Sequence, residues 1–311
     1  MALFDSYIFV DWSAANTAHP ASPVPDSPWV GELTPAEQFN VETYHRTRQA
    51  AVIHVRNRLL YHVGLNRRVL VGFDFPYGYP VGFAHALGLP DDSAAWWNLW
   101  SELSIRLEDD DGNVNNRFQV ASDLNCIISG GGVGPFWGCP PGQATNHLTA
   151  NGPGFPFHAA VGLQLHRLRV CEARLRGVQE TWGLFGVGRV GGQALTGIPW
   201  LHSLRRLPML ALCSKVWPFE TLFTPTPSPK QGPFVLHAEI WPGVVEQRVQ
   251  AVVALQPGII RDQAQVRATC QWAYELDQNK HLAAFFNTPT NLSAPEIRRC
   301  LQEEGWILGV E

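Results

Sequence analysis

The sequence has no CxxC pair; its six cysteines, at positions 126, 139, 171, 213, 270 and 300, are scattered along 311 residues. That spacing argues against a zinc knuckle or a disulfide framework. With no charged stretch followed by an apolar one at the start of the chain, there is no secretory signal, and reduced thiols in the cytoplasm are expected. No apolar run approaches the roughly 20 residues needed to span a bilayer, so no membrane partner is expected. Charge is scarce, at 16% of residues and a net −4, which gives no global attraction for a polyanion. Lysine is almost missing, because 20 of the 23 basic residues are Arg, the fork-shaped binder of phosphates and carboxylates. GxSxG, HExxH and HxH spacings are all absent. What remains is apolar and aromatic: 45% hydrophobic residues, with 12 Trp and 16 Phe, enough for a large core.

Along the chain, "YIFVDWSAAN" (7–16) is a strand that stops on Asp11, and the turn-forming 15–28 follows it. "WVGEL" and "QFNVET" are predicted as strands of a meander. Next, Ala51, Val52, Val55 and Leu59 have the spacing of a helix with one buried face, closed by Gly64. Val69 to Phe73 then form a buried strand that ends on Asp74, before Pro76. The order is therefore β-β-β-α-β. From about 80 to 210 the character changes. Helices are predicted over "SAAWWNLWSELSIRL" and "AAVGLQLHRLRVCEARLRG", separated by Gly- and Pro-rich loops, without an internal repeat. Strand signals return at "CSKVWPFET" and "FVLHAEIWP". A helix with Val266, Cys270 and Tyr274 on one face comes next, with Asp262 in its first turn. The expected division is a core of 1–80 and 211–311, with 81–210 as an insertion.

Acids at the tips of hydrophobic strands occur at Asp11, Asp74 and Glu239. Each alone could be an ordinary cap, and Asp262 suits a helix dipole. Together, on neighbouring strands, they would converge on one sheet edge. Packed carboxylates repel each other and hold protons unless a cation neutralises them. Hard oxygen ligands suit Mg²⁺ or Mn²⁺, and a pair of such ions stabilises both oxygens of a phosphoryl displacement.

"IFVDWSA", the β-β-β-α-β order, "VLVGFDFPYGYP" and "HAEIWP…DQAQVRA" resemble the ribonuclease H-like superfamily. More narrowly, they resemble the predicted-nuclease group catalogued as domain of unknown function 429. In that group an Asp ends the first strand, an Asp-x-Pro follows the fourth, and a Glu with an aromatic-Pro pair follows a later strand. Asp11, Asp74 with Pro76, and Glu239 with Trp241 and Pro242 match those positions. The resemblance implies an α/β fold, a ribonuclease H-like mixed sheet with a later strand and C-terminal helix. It also implies a last acid on a late helix, Asp262 or else Asp277. Glu220, in "VWPFET", competes with Glu239 because it too lies beside a Trp-Pro strand end.

"GVGRVGG" (186–192) contains GxGxxG, but Gly197 and Pro199 are expected to interrupt any helix after it, and no Asp or Glu occurs from 181 through 219. A nicotinamide site is therefore rejected. Arg189, Arg205, Arg206 and Lys215 in the same stretch are a candidate phosphate-contacting surface, or simply a tight turn with solvated cations. Arg167, Arg169, Arg174 and Arg176 read as one basic helix face. His237 would share a strand face with Glu239, most simply as a core histidine.

The expected activity is divalent-metal-dependent phosphodiester hydrolysis by a nuclease. Asp11, Asp74, Glu239 and Asp262 would be both catalytic and metal-holding, with Mg²⁺ or Mn²⁺ as cofactor and nucleic acid or a nucleotide-like phosphodiester as partner. The alternatives are a nucleotide-dependent phosphotransferase of the actin or sugar-kinase type and a non-catalytic nucleic-acid-binding module.

Overall fold

The computed structural model describes residues 2–186 and 188–311. Its main sheet holds six strands, β1 (Ser6–Asp11), β2 (Trp29–Thr34), β3 (Phe39–Tyr44), β4 (Arg68–Phe73), β7 (Ser214–Val216) and β8 (Phe234–His237). The residues of β5 (Phe157–His158) and β6 (Gln164–Leu165) form a separate small ladder. The order across the main sheet is β3-β2-β1-β4-β8-β7. The β1-β2-β3 meander is antiparallel, and β1, β4, β8 and β7 run parallel. β1 and β4 are buried along their whole length, as continuous apolar runs at the centre of a two-layered sheet must be.

Each face of the sheet is covered differently. On one face, Ile8, Val10, Val71 and Phe73 pack with Ala51, Val55 and Leu59 of the helix Arg48–Gly64. The Thr47 side chain caps that helix by accepting from the Ala50 N–H. Trp12 points to this same face, where it packs edge-on against Phe73 and Phe75. Residues of 81–210 join this cluster: Trp96 and Trp100, Leu124, Trp182, and Leu195 and Leu201. The segment expected as an insertion thus shares one core with the first strands.

On the other face, Tyr7, Phe9, Leu70 and Leu236 pack with Ala264, Ala268 and Cys270 of the helix Arg261–Gln278. The helix comes close because β2 carries Gly31 beneath it. A Cβ there would stand 2.9 Å from that of Val266.

The predicted strands and the helices at 48–64, 95–106 and 261–278 form within a few residues of expectation. Two expectations do not hold. Residues 159–177 are not helical apart from the single turn Glu172–Arg174, so Arg167, Arg169, Arg174 and Arg176 share no helix face. Arg169 instead turns into the core. Conversely, Gly191–Arg206 is one helix that runs through both Gly197 and Pro199. Its proline forfeits one hydrogen bond, and burial of Leu195, Ile198, Leu201 and Leu204 offsets the loss. At Gly197 a Cβ would lie 2.4 Å from the Phe75 ring, so glycine is what lets the helix sit against the segment after β4.

Candidate functional site

β1 and β4 pair in parallel with Val10 opposite Phe73, and the Asp74 N–H donates to the Val10 carbonyl at 3.2 Å. The next residue of each strand is therefore an acid, Asp11 beside Asp74, on neighbouring strands at the same sheet edge. Side-chain alternation puts both on the face of Tyr7, Phe9 and Leu70, the face under the helix Arg261–Gln278. Asp262, in the first turn of that helix, arrives over the same edge.

Asp11, Asp74 and Asp262 lie near enough for their charges to act on one another. Burial pushes the Asp11 carboxyl well up from the carboxylate range, and the charges of Asp74 and Asp262 add to the effect. Asp74 rises to about 7, mainly from burial, with a contribution from Asp262 and an offsetting hydrogen bond from the Trp12 N–H at 2.7 Å. Asp262 is raised by burial and by Asp26. These shifts are those of acids gathered with little counter-charge: Arg261 opposes the rise at Asp11, but its guanidinium is paired with Glu246.

Hydrogen bonding leaves one of them under-satisfied: Oδ2 of Asp262 is buried with no partner among the described residues. Among the described residues, no three His, Cys, Asp or Glu side chains already stand close enough to hold a metal ion. The donor set nonetheless suits a hard cation: all oxygen, anionic, and with one buried oxygen left without a partner.

Asp26 was not anticipated. It acts on both Asp11 and Asp262, and it sits in a tight turn with positive φ just before β2. The "PDSP" turn chemistry was legible, but which edge that turn reaches depends on the pairing of β2 with β1.

Glu239 and Glu220 are not brought to this group. Glu239 is buried and receives both ends of the Arg169 guanidinium, at 2.8 and 2.6 Å, together with the Tyr77 N–H at 2.9 Å. Arg169 is in turn held by Glu172 and the Glu304 carbonyl. With both oxygens committed to a buried cation, Glu239 is a structural anchor. Glu220 binds Arg205 through both oxygens and also accepts from the Val216 N–H. Asp277 lies at the far end of the helix that begins near Asp262. There it accepts from the N–H groups of Leu3 and Phe4 and from the Tyr7 hydroxyl.

The four cations expected at substrate phosphates are dispersed. Arg189 lies over the Trp137 ring, bonds Gln179 and faces Glu180 at 3.7 Å. Arg205 is taken by Glu220. Arg206 and Lys215 are exposed. Arg206 ends a helix whose first turn lies near β1, which at ~1.5 Å per residue places it roughly 22 Å along that axis. Lys215 is on β7, the far edge strand. His237 is a core histidine: its Nε2 meets the Ser214 hydroxyl at 2.8 Å, and burial drives its pKa down to about 3.

Among the described residues, no helix is long and apolar enough to cross a membrane. No family model matches the chain, and no curated protein or solved structure is significantly similar to it.

Proposed function

We propose that the protein hydrolyses phosphodiesters of nucleic acid with the help of Mg²⁺ or Mn²⁺, on a ribonuclease H-like core. The sheet order, with an antiparallel meander leading into parallel β1 and β4, supports the fold-level resemblance that the strand-end motifs suggest. A single observation carries the reading: Asp11 and Asp262, both buried, and the half-buried Asp74 gather at one sheet edge, with an oxygen of Asp262 left unpaired.

Asp11, Asp74 and Asp262 would hold the cation, and Asp26 adds negative charge at the margin. When bound, the ion would neutralise these carboxylates, lower the pKa of a water and stabilise charge on the phosphoryl oxygens. The protein's own part is positional. The Trp12 N–H fixes one oxygen of Asp74 at 2.7 Å. The packing of Val266 against Gly31 sets the height of Asp262 above the sheet. Glu239, Glu220 and Asp277 take no part, and a nuclease assembled here uses Asp262 as its late acid.

The test is cleavage of labelled single-stranded, duplex and hybrid substrates with Mn²⁺. D74N and D11N should each lose at least 100-fold in rate. Full cleavage by both variants, or transfer of phosphate from a nucleotide to an acceptor instead of hydrolysis, would overturn the reading. Mn²⁺ binding without any turnover would leave a binding module in its place.

A further inference from the structure

Four arginines are buried in this protein: Arg48, Arg68, Arg117 and Arg169. Three have carboxylate partners, in Asp109, Asp5, and Glu172 with Glu239. Arg117, only 6% exposed, has none among the described residues. Its Nη1 donates to Asn115 Oδ1 at 2.9 Å, its Nε is buried and unpaired, and the guanidinium lies over the Phe118 ring. The one carboxylate that acts on it, Asp109, is already engaged by Arg48 and by the Trp200 indole. Two guanidinium groups thus share one carboxylate, which leaves a positive charge uncompensated in a low-dielectric setting. Burial and the nearby Arg48 lower the pKa of Arg117 to about 10, so it stays charged at neutral pH. A buried, unpaired cation is costly unless an anion meets it.

The group faces a second source of positive potential. A Cβ on Gly192 would lie 3.4 Å from Arg117 Nε and 3.3 Å from the Ala14 Cβ. Gly192 is in the first turn of the 16-residue helix Gly191–Arg206, which has no side-chain cap and no acid in that turn. The three features converge beside the half-buried Ala14 and Ala15, just beyond Asp11. One residue separates this place from the carboxylates. The Trp12 N–H donates to Asp74, and its carbonyl accepts from Gln193 Nε2 at 2.7 Å.

We propose that Arg117 and the uncapped N-terminus of the helix Gly191–Arg206 form a phosphate-binding site beside Ala14. A phosphate monoester or diester supplies the missing negative charge and accepts from the guanidinium and from the N–H groups of Gly192 and Gln193, the Gly191 N–H being given to the Gly183 carbonyl. Its use, seating the phosphate next to the one being cleaved, rests on the activity proposed above. Its binding does not, because these groups need no metal.

Binding is therefore measured in EDTA, with inorganic phosphate and with a short phosphorothioate oligothymidylate, by calorimetry. Wild type should bind, and R117Q should bind at least 10-fold more weakly. Because R117Q removes a buried side chain, A14D provides an independent check. Its carboxylate is tethered where the phosphate would sit, so A14D should raise the melting temperature and abolish phosphate binding. Loss of the oligonucleotide together with inorganic phosphate in both variants assigns the site to a strand. Loss of inorganic phosphate alone assigns it to free phosphate. Absence of phosphate binding in the wild type, or unchanged affinity in R117Q and A14D, would refute the site, whatever the outcome of the cleavage assay.

Discussion

Glu239 and Asp11 begin as the same signal, an acid at the tip of a hydrophobic strand, and they end in opposite environments. Glu239 is enclosed with Arg169, and every oxygen is engaged. Asp11 is enclosed with other acids, and burial and their charges push its carboxyl up. The difference comes from what the rest of the chain delivers. The loop around 169 brings a cation to one strand end; the turn at 26 and the helix at 262 bring anions to the other. An acid with its counter-ion built in holds a fold together; acids gathered with little counter-charge carry raised pKa values that the proposed cation would relieve.

The contrast can be broken by substitution. The largest effect is expected from E239A, which leaves Arg169 buried with Glu172 alone and strips an acceptor from the Tyr77 N–H. Removing one partner of a buried pair costs about 3–5 kcal/mol, read from urea denaturation. A loss below about 1 kcal/mol would erase the distinction between the two strand ends.

D74N should act in the opposite direction. Asp74 titrates near 7 when folded, against an ordinary value of 3.8. Between those values the folded protein holds a proton that the unfolded chain has lost, so stability falls as pH rises through the window. D74N should remove most of that fall and, without metal, gain on the order of 1–2 kcal/mol at pH 8. That is less than the full shift, because Asp74 is only half-buried and water screens it. Mn²⁺ should stabilise the wild type more at pH 8 than at pH 5, and D74N little at either. Melting curves across pH with and without Mn²⁺ decide this. The smallest effect belongs to R206A with K215A, both exposed: a stability change within about 0.5 kcal/mol and unchanged oligonucleotide affinity.

Much of this was legible in the sequence, and the limits have physical causes. The spacing of Ala51, Val52, Val55 and Leu59 gave the first helix, and the repeated strand-then-Asp pattern gave the juxtaposition of Asp11 and Asp74. Local pattern could not reveal where partners come from. The stretch 181–219 is free of acids, yet Glu180 and Glu220, the residues that bracket it, pair with its Arg189 and Arg205. The segment around Arg169 has helical spacing but gives up its helix so that a guanidinium can reach three acceptors. Pro199 reads as a helix breaker, and it is overridden by an apolar face that only the folded sheet provides.

The clamp at the other end of the late helix has a practical consequence. Asp277 ties Leu3, Phe4 and Tyr7 together toward the opposite end of β1 from Asp11. A tether or reporter fused ahead of Leu3 would sit behind the molecule, so protein immobilised by that end would present its aspartate edge outward to a passing strand.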